Sequence, residues 1–377
     1  MKVVHVIPSL LKGGAERLCI DICNELRTRE GIEIKLVVLS KENLYSEFTE
    51  SIGIMHCPVT FNLSLSRKNE IDISSYSNFI EAYQPNVVHS HLYLAEIISR
   101  ENTSEKTNYF THLHDNMPQL LKGTAATFLS KGKITNYFER TRLLKKYAKC
   151  NNQFISISKD TSSYFNENLP RNLRNITLLQ NAINLSQFSR PKNWIKKNDE
   201  NIKLISVGSL VNKKNHLFLI DVVESLIKKG LNPQLSILGE GHNRELLETT
   251  IEDKKLEKHI HLKGNVNKVE EFLWDADIYV HSASYEPFGL VLLEAMAAGI
   301  PCVSIDGGGN RDIIINDENG FIIEKGNTEL FTESAVRLYK DEVLRQKIVF
   351  NALKYVSNFG IKEYVDKLIS IYTREEL

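Results

Sequence analysis

Two glutamates near the end of the chain have types and spacing that could bind a sugar nucleotide. Glu286 opens the run Glu-Pro-Phe-Gly-Leu, and Glu294 follows inside the apolar sequence of a predicted helix. Burying an unpaired charge is expensive, so we expect Glu294 to face a polar partner. The unpaired amides at the helix start, near Gly289 and Leu290, favour an anion such as a pyrophosphate. Each carboxylate could accept hydrogen bonds from sugar or ribose hydroxyls. The alternative is a helix that carries one exposed glutamate.

Loops after two other predicted strands carry residues that suit a phosphate. Gly13 and Gly14 follow the first strand, where paired glycines let the backbone approach a ligand and open a helix. A simple strand-to-helix turn explains this pair equally well. In the second half, Gly208 opens a loop that contains Lys213 and Lys214, and a lysine there can reach a phosphate. Solvation is the alternative for these lysines.

Histidines gather in the first half of the chain. His89 and His91 share one face of a predicted strand, as do His112 and His114, and Asp115 follows directly. Such a set could hold zinc, although a histidine that donates a hydrogen bond to substrate needs no metal. We therefore predict a polar role for His114 in a binding cleft and no metal site.

The wider pattern predicts an α/β protein. Apolar, strand-like runs alternate with amphipathic segments in both halves, separated by a polar break at residues 191–201. This alternation indicates two Rossmann-like, doubly wound parallel-sheet domains, whose strand ends would face a common cleft. The predicted boundaries are 1–188, 189–360 and a final helix, 361–377, that could cross back to the first domain.

Composition excludes several classes of protein. The chain has 47 basic and 47 acidic residues, so no global charge steers it towards nucleic acid. We see no apolar run long enough to span a bilayer and no signal peptide, and therefore expect a cytoplasmic protein. The five cysteines include no Cys-x-x-Cys pair, and Cys19 and Cys23 are expected to share the core face of one helix.

These motifs together resemble the family 4 glycosyltransferases, which are retaining enzymes of the GT-B architecture. The resemblance covers both halves of the chain, and its most specific part is the segment from Glu286 to Glu294. The matching positions are Gly13 and Gly14, the His114-Asp115 step, Gly208, Leu210 and Lys214 of the second-half loop, and the two glutamates.

The resemblance implies a role for each matching residue. Lys214 would neutralise the diphosphate of a nucleotide-diphosphate sugar, Glu294 would bind the ribose, and Glu286 and His114 would contact the transferred sugar. The donor would be a UDP- or GDP-sugar, with no obligatory cofactor, and the acceptor a saccharide or lipid-linked saccharide. Backbone contacts and the approach to the phosphate are implied for Phe288, Gly289, Leu290 and Gly14.

Two departures from the family pattern concern the donor loop and the hinge. Ser209 stands where the family usually has an arginine, which removes one positive charge from the diphosphate site. The neighbouring Lys213 is the candidate replacement. Residues 180–184, Gln-Asn-Ala-Ile-Asn, replace the Asn-Gly-Val-Asp that similar proteins often carry before the second domain.

The acceptor side has one local clue, a basic segment at residues 122–149. It interleaves lysines and arginines with aromatic residues, so it could lie on an anionic membrane surface or form a solvated helix along the acceptor groove. The first reading predicts peripheral contact with the inner face of the cytoplasmic membrane. Two rival functions also fit: a nucleotide-sugar epimerase of the same fold, and a non-catalytic subunit that binds nucleotide sugar.

Overall fold

The chain forms two units and passes between them twice. The first unit comprises Met1–Asn181 and Ile361–Leu377, and the second comprises Ala182–Gly360. The structure is a computed structural model that describes residues 1–62, 70–122, 131–195 and 201–374.

The division falls at Asn181, ahead of the predicted boundary at residue 188. The backbone N–H of Ile183 donates to the carbonyl of Phe359 at 3.0 Å, and Trp274 Nε1 donates to the carbonyl of Phe188 at 2.6 Å. Both pairs lie within the second unit. The short helix that ends at Phe188 therefore belongs to the second unit, because its hydrogen bonds and packing are made there.

The first unit is built on a seven-stranded sheet in the order β3-β2-β1-β6-β7-β8-β9, with every neighbouring pair parallel. A short antiparallel pair, β4 and β5, lies outside it. The strands are β1 (Lys2–Ile7), β2 (Glu33–Val38), β3 (Ile54–His56), β4 (Thr60–Asn62), β5 (Glu70–Asp72), β6 (Val87–His91), β7 (Asn108–Leu113), β8 (Gln153–Ser156) and β9 (Ile176–Leu178). The helices are α1 (Gly14–Leu26), α2 (Ser46–Thr49), α3 (Ser74–Tyr83), α4 (Tyr93–Ile98), α5 (Lys131–Lys149) and α6 (Lys159–Asn168), followed much later by α14 (Ile361–Thr373).

The second unit is built on a six-stranded parallel sheet in the order β12-β11-β10-β13-β14-β15. Its strands are β10 (Ile202–Val207), β11 (Pro233–Leu238), β12 (Ile260–Gly264), β13 (Ile278–His281), β14 (Cys302–Ile305) and β15 (Phe321–Ile323). Its helices are α7 (Leu185–Phe188), α8 (His216–Lys228), α9 (Arg244–Asp253), α10 (Val269–Asp275), α11 (Leu290–Ala297), α12 (Thr328–Lys340) and α13 (Glu342–Val356).

Both sheets are doubly wound, as the alternating sequence pattern predicted. Successive strands run outward from β1 in one direction and from β6 in the other, so the strand order reverses between β1 and β6. The same reversal lies between β10 and β13 in the second unit. Ligands of such sheets bind beyond the carboxyl ends of the strands at this point. The loops after β1, β6, β10 and β13 are therefore the positions where a site is expected.

Helices α1 and α14 cover one face of the first sheet. Helix α1 buries Leu18, Cys19, Ile22 and Cys23 along one stripe, because residues three and four apart face the same side of a helix. The predicted shared core face of Cys19 and Cys23 is thus confirmed. Helix α14 packs against α1 and sends Tyr372 into the core of the first unit.

Helix α5 carries most of the basic segment, but several of its cations are engaged within the protein. Arg142 and Lys146 both form ion pairs with Glu101, at 2.8 and 2.7 Å, and Arg140 donates to the carbonyl of Asn168 at 2.8 Å. Residues 123–130 of the segment lie outside the described residues. In the parts of the chain that the structure describes, no helix combines the length and apolar composition needed to cross a bilayer.

Tyr147 of α5 is buried and does not belong to the exposed surface of that helix. Its hydroxyl donates a hydrogen bond to the carboxylate of Glu96 on α4, which is also buried. Burial raises the pKa of Glu96 to about 7, against the opposing effects of the Tyr147 hydroxyl and of Arg100. The first unit therefore contains a carboxyl group that ionises near neutral pH in its core.

We expect this carboxyl group to make the first unit less stable as pH rises. The folded-state pKa of Glu96 lies above the ordinary value of 4.5, so its stabilising contribution is complete below about pH 4.5 and is lost as pH rises through about 7. Glu96→Gln keeps an acceptor for Tyr147 and cannot ionise. The stability advantage of the variant over the wild type should grow between pH 5 and pH 8 by roughly 1–3 kcal/mol. Urea unfolding followed by circular dichroism measures it.

The matched control is Glu252→Gln, which changes an exposed glutamate on α9. Its effect on stability should not vary between pH 5 and pH 8. An equal difference between wild type and Glu96→Gln at the two pH values would contradict the assignment.

Candidate active site

Glu286 lies on the loop between β13 and α11, as the sequence predicted, and glycines hold its backbone in place. The N–H of Glu286 donates to the carbonyl of Gly307 at 2.9 Å, and the carbonyl of Glu286 accepts from the N–H of Gly309 at 2.9 Å. A Cβ atom on Gly309 would come within 1.9 Å of the carbonyl oxygen of Pro287. Only glycine fits at this position. Because Gly309 has no side chain, the loop after β14 can approach closely enough to fix Glu286.

The Glu286 carboxylate is buried and contacts two cationic or ionisable side chains. Its Oε2 atom lies 2.6 Å from Lys214 Nζ and 3.1 Å from His281 Nε2. Burial alone would raise the pKa of Glu286, but Lys214 and His281 outweigh this effect and hold the pKa well below its usual range. Burial lowers the pKa of His281, and Glu286 opposes that shift. The cluster therefore presents a fixed, ionised carboxylate in contact with the Lys214 side chain.

The loop after β10 supplies Lys214 and is tied to the loop after β13. The Ser282 hydroxyl donates to the carbonyl of Lys214 at 2.7 Å, and the N–H of Ser284 donates to the carbonyl of Lys213 at 2.9 Å. Strands β10 and β13 are neighbours at the reversal of the sheet. The strand order thus brings together two segments that are 72 residues apart in the sequence.

Ser209 and Lys213 lie on the same loop as Lys214, and both are exposed. The ammonium group of Lys213 lies 6.0 Å from the centre of the Tyr285 ring, at the distance of a cation–π contact. Tyr285 directly precedes Glu286, so Lys213 lies beside the Glu286 loop. Whether Lys213 replaces the charge missing at Ser209 stays a prediction.

Helix α11 begins at Leu290, where the sequence predicted the unpaired amides. Gly289 precedes it with φ of 104°, a left-handed conformation that favours glycine, and Phe288 is buried. Glu294 lies one turn inside the helix and is half-buried, while the apolar residues around it are fully buried. The helix thus carries a half-buried carboxylate one turn inside it, and its first amides have no acceptor within the helix.

The other predicted residues lie in the first unit. Gly14 is the first residue of α1, and the N–H of Gly13 donates to the Tyr45 hydroxyl at 3.1 Å. Gly13 has φ of −168°, an extended conformation that any residue adopts. His114 follows β7 directly and is partly exposed, and its Nε2 atom lies 2.8 Å from Nδ1 of His91.

Two residues of the site were not singled out from the sequence. His281 is the last residue of β13, and Ser282 follows it. Both are polar residues at the carboxyl end of a buried parallel strand, which is the signal that would have found them. The contact of His281 with Glu286 depends on the shape of the loop that they share, and the contact of Ser282 with the Lys214 loop depends on which strands are neighbours, so neither could be read from spacing.

Comparison with known proteins agrees with this fold and identifies a family for both halves of the chain. A family model described as Glycosyltransferase Family 4 matches residues 12–187, and a model described as Glycosyl transferases group 1 matches residues 189–355. The chain is 24% identical to the UDP-Gal:alpha-D-GlcNAc-diphosphoundecaprenol alpha-1,3-galactosyltransferase of Escherichia coli, over 99% of this chain and 96% of that protein. It is 26% identical to the capsular polysaccharide biosynthesis glycosyltransferase CapM of Staphylococcus aureus, over 67% and 73% of the two chains.

Among solved structures, HepE of Anabaena in complex with UDP matches with a TM-score of 0.79 and 17% identity, over 99% of this chain and 100% of that chain. The two Rossmann-like units and this match over the whole length of the chain show the GT-B fold. The chain belongs to glycosyltransferase family 4, because the two family models together span nearly all of it.

The ion pair of Lys214 and Glu286 should contribute strongly to the stability of the second unit. Lys214→Met leaves a buried carboxylate without its cation, which costs about 3–5 kcal/mol when a buried pair is broken. Adding Glu286→Gln removes that charge and should recover part of the loss. A double-mutant cycle measured by urea unfolding gives the coupling energy. Both tryptophans, Trp194 and Trp274, lie in the second unit, so their fluorescence follows this unit alone.

The control cycle uses Lys229 and Glu329, an exposed pair at the same 2.6 Å. Exposed pairs couple by about 1 kcal/mol or less. Equal coupling energies in the two cycles would show that burial of Glu286 does not strengthen its interaction with Lys214.

Proposed function

We propose that this glycosyltransferase transfers a hexose from a UDP-sugar to a saccharide or a lipid-linked saccharide, with retention of configuration. The observation that carries the proposal is the Glu286 cluster, in which a buried carboxylate and Lys214 lie on the loops beside the start of α11. Two relatives support the donor: the E. coli enzyme is named for UDP-Gal, and HepE was solved with UDP-glucose.

Lys214 is suited to the donor diphosphate. An ammonium group has three N–H donors, and the bond to Glu286 Oε2 occupies one of them. The remaining donors can face the phosphate oxygens, together with the unpaired amides at Gly289 and Leu290. Positive charge and fixed amides at this position would stabilise the negative charge that develops on the departing diphosphate. Lys213 would add a second cation near the same loop.

The two glutamates act on different parts of the donor. Glu286 is held ionised, so it accepts hydrogen bonds and does not donate them, which suits hydroxyls of the transferred sugar. Glu294 is half-buried on α11, where it would accept hydrogen bonds from the ribose hydroxyls. From the first unit, we assign Gly13 and Gly14 to the phosphate and acceptor side and His114 to the transferred sugar.

Retention needs no protein nucleophile in this proposal. The bond between the sugar and the diphosphate breaks with oxocarbenium-like character, and the acceptor hydroxyl attacks from the same face. A departing phosphate oxygen takes the proton of that hydroxyl. The protein positions the two substrates and stabilises the charge on the leaving group. No cofactor takes part in these steps.

Incubation with UDP- and GDP-sugars, with and without a saccharide acceptor, tests the proposal. We expect a new glycoside and free UDP only when both substrates are present, and the product should keep the anomeric configuration of the donor. An epimerised nucleotide sugar formed without acceptor would instead establish the epimerase, and inverted product would overturn retention. Nucleotide release with every acceptor absent from the mixture would indicate hydrolysis.

Site variants in the same assay test the residue roles. Lys214→Met and Glu286→Gln should lower kcat by about 100-fold or more, because each removes an interaction with the reacting groups. Glu294→Ala should mainly raise the KM for the donor, because ribose contacts are equal in the ground and transition states. Glu252→Ala on the exposed face of α9 is the control. Donor KM unchanged in Glu294→Ala would contradict the ribose assignment.

A lipid-linked acceptor would require the protein to work at a membrane surface, and we propose that α5 makes this contact. Tyr137 and Phe138 are 41% and 52% exposed, and Lys133 and Lys145 are exposed on the same helix. Aromatic and basic side chains together suit an anionic lipid surface. The cations already paired inside the protein do not contribute, which leaves a smaller basic surface than the sequence suggested.

We expect the full chain to bind vesicles that contain anionic lipid, and the double variant Tyr137→Ser and Phe138→Ser to lose at least half of this binding in a sedimentation assay. Phe350→Ser removes an aromatic residue that is 69% exposed on α13 and serves as the control. Binding of the double variant equal to that of wild type would assign α5 to a solvated surface.

A further inference from the structure

Five histidines form a continuous layer on one face of the first sheet. His5 pairs in register with His89 across β1 and β6, and His91 pairs with His112 across β6 and β7. His114 continues the layer after β7. Neighbouring rings lie 4.4–5.2 Å apart between centroids. All except His114 are fully buried, where a parallel sheet normally carries apolar side chains.

One half of this layer is a hydrogen-bonded path from His114 inward to α14. His114 Nε2 lies 2.8 Å from His91 Nδ1, and His91 Nε2 lies 2.8 Å from His5 Nδ1. His5 Nε2 in turn lies 3.1 Å from the hydroxyl oxygen of Tyr372. Each inner ring thus uses both of its nitrogens, one towards each neighbour.

The other half leads from Tyr372 to Asn181, which is the last residue of the segment Met1–Asn181 of the first unit. The Tyr372 hydroxyl lies 2.5 Å from His89 Nδ1, and His89 Nε2 lies 3.3 Å from His112 Nδ1. The path ends where His112 Nε2 lies 3.2 Å from Oδ1 of Asn181. We call the whole path, from His114 through His91, His5, Tyr372, His89 and His112 to Asn181, the imidazole chain.

The end of the imidazole chain fixes the direction of every bond in it. An amide oxygen only accepts, so His112 must carry its proton on Nε2 and leave Nδ1 as an acceptor. A neutral imidazole has one N–H, so His89 must then donate from Nε2 to His112. His89 Nδ1 accepts the Tyr372 hydroxyl proton, and the Tyr372 oxygen accepts from His5 Nε2.

The same rule continues to the accessible end. His5 Nδ1 accepts from Nε2 of His91, and His91 Nδ1 accepts from Nε2 of His114. His114 is therefore left with an unprotonated Nδ1, the ring nitrogen outside the chain. If the Asn181 amide presented its nitrogen instead, every bond would reverse and this Nδ1 would carry a proton.

The neutral state that this argument needs follows from the surroundings of the rings. Burial lowers the pKa of His112 to about 4 and lowers the pKa values of His89, His91 and His114 well below the ordinary value. A proton added to any inner ring would also set two donors against each other at one bond of the chain, whereas His114, whose Nδ1 lies outside the chain, is kept neutral by its lowered pKa. The rings therefore stay neutral, each with a single N–H.

We propose that Asn181 and Tyr372 are positioning residues that hold His114 in one tautomer, with a bare Nδ1 that accepts a hydrogen bond from a substrate hydroxyl. This inference rests on the proposed contact of His114 with the transferred sugar and specifies its direction: the hydroxyl donates and the histidine accepts. A hydroxyl recognised in this way must be able to give its proton to the bond, which a ring oxygen or a phosphate oxygen cannot do.

Nitrogen-15 spectra of the full chain with labelled histidine rings test the proposal without any substrate. Two-bond proton–nitrogen correlations distinguish a protonated ring nitrogen from a bare one, and single His→Gln substitutions assign the five signals. We expect all five rings to be protonated only on Nε2 at pH 7. A His114 protonated on Nδ1, or on both nitrogens, would overturn the proposal, as would signals that change when EDTA is added.

Tyr372→Phe removes the central hydroxyl and keeps the aromatic ring that packs against Phe110. His114 should then populate both tautomers, and an equal mixture would lower donor kcat/KM about twofold, the fraction of competent protein. A single unchanged tautomer in this variant would overturn the coupling. Asn181→Leu should have the same effect from the far end of the chain.

Tyr364→Phe is the matched control on the same helix. The Tyr364 hydroxyl is buried and has no hydrogen-bond partner among the described residues. Removing it should leave the His114 tautomer unchanged. The spectra are recorded on the ligand-free protein, so they separate this inference from the proposed function: His114→Gln with full transferase activity would refute the sugar contact and leave the tautomer result standing.

Discussion

The buried carboxylate of Glu286 sets a requirement that shapes the second unit, because a charge removed from water has to be compensated at short range. Backbone hydrogen bonds to Gly307 and from Gly309 fix the position of Glu286 in its loop. The compensation comes from Lys214 and His281, at the ends of two strands that are neighbours only because the sheet reverses between β10 and β13. The ion pair therefore depends on the strand order, which brings the two loops together.

The two units keep polar groups inside a parallel sheet in different ways. The second unit places opposite charges in contact, whereas the first unit keeps five imidazoles neutral and satisfies them with one another, with Tyr372 and with Asn181. Hydrogen bonding of this kind avoids the desolvation cost of ions, but it depends on the position of every proton. Attraction between charges thus stabilises the Glu286 cluster, and the direction of the hydrogen bonds fixes the proton positions in the imidazole chain.

Local sequence was sufficient to predict the features that local chemistry decides. The alternation of strands and helices predicted both parallel sheets, and the start of α11 was expected near Gly289 and Leu290, where the structure has it. The Glu286 loop and the Lys214 loop were also found, because each carries its polar residues within a few positions of a strand end. The roles of these residues in binding a donor are proposals that rest on this geometry.

Features that depend on the three-dimensional arrangement could not be read in this way. The contact of His281 with Glu286 depends on the shape of the loop that they share. The unit boundary was predicted at residue 188 rather than at Asn181, because the hydrogen bond from Ile183 to Phe359 joins positions far apart in the sequence. The paired faces of His89 with His91 and of His112 with His114 were visible as alternation. His5 and Tyr372 were not, since 367 residues separate them.

The separation of His5 from Tyr372 in the sequence also affects how the protein folds during synthesis. A chain emerges from the ribosome with its amino end first, and domains generally fold as units during synthesis. The second unit is one continuous segment and can fold as soon as it emerges, but the first unit lacks α14 until residue 373 has been added. Until then His5 and His89 have no hydroxyl between them, and the face of the sheet that α14 covers stays open. The first part of the chain to be synthesised is therefore the last to reach its final structure.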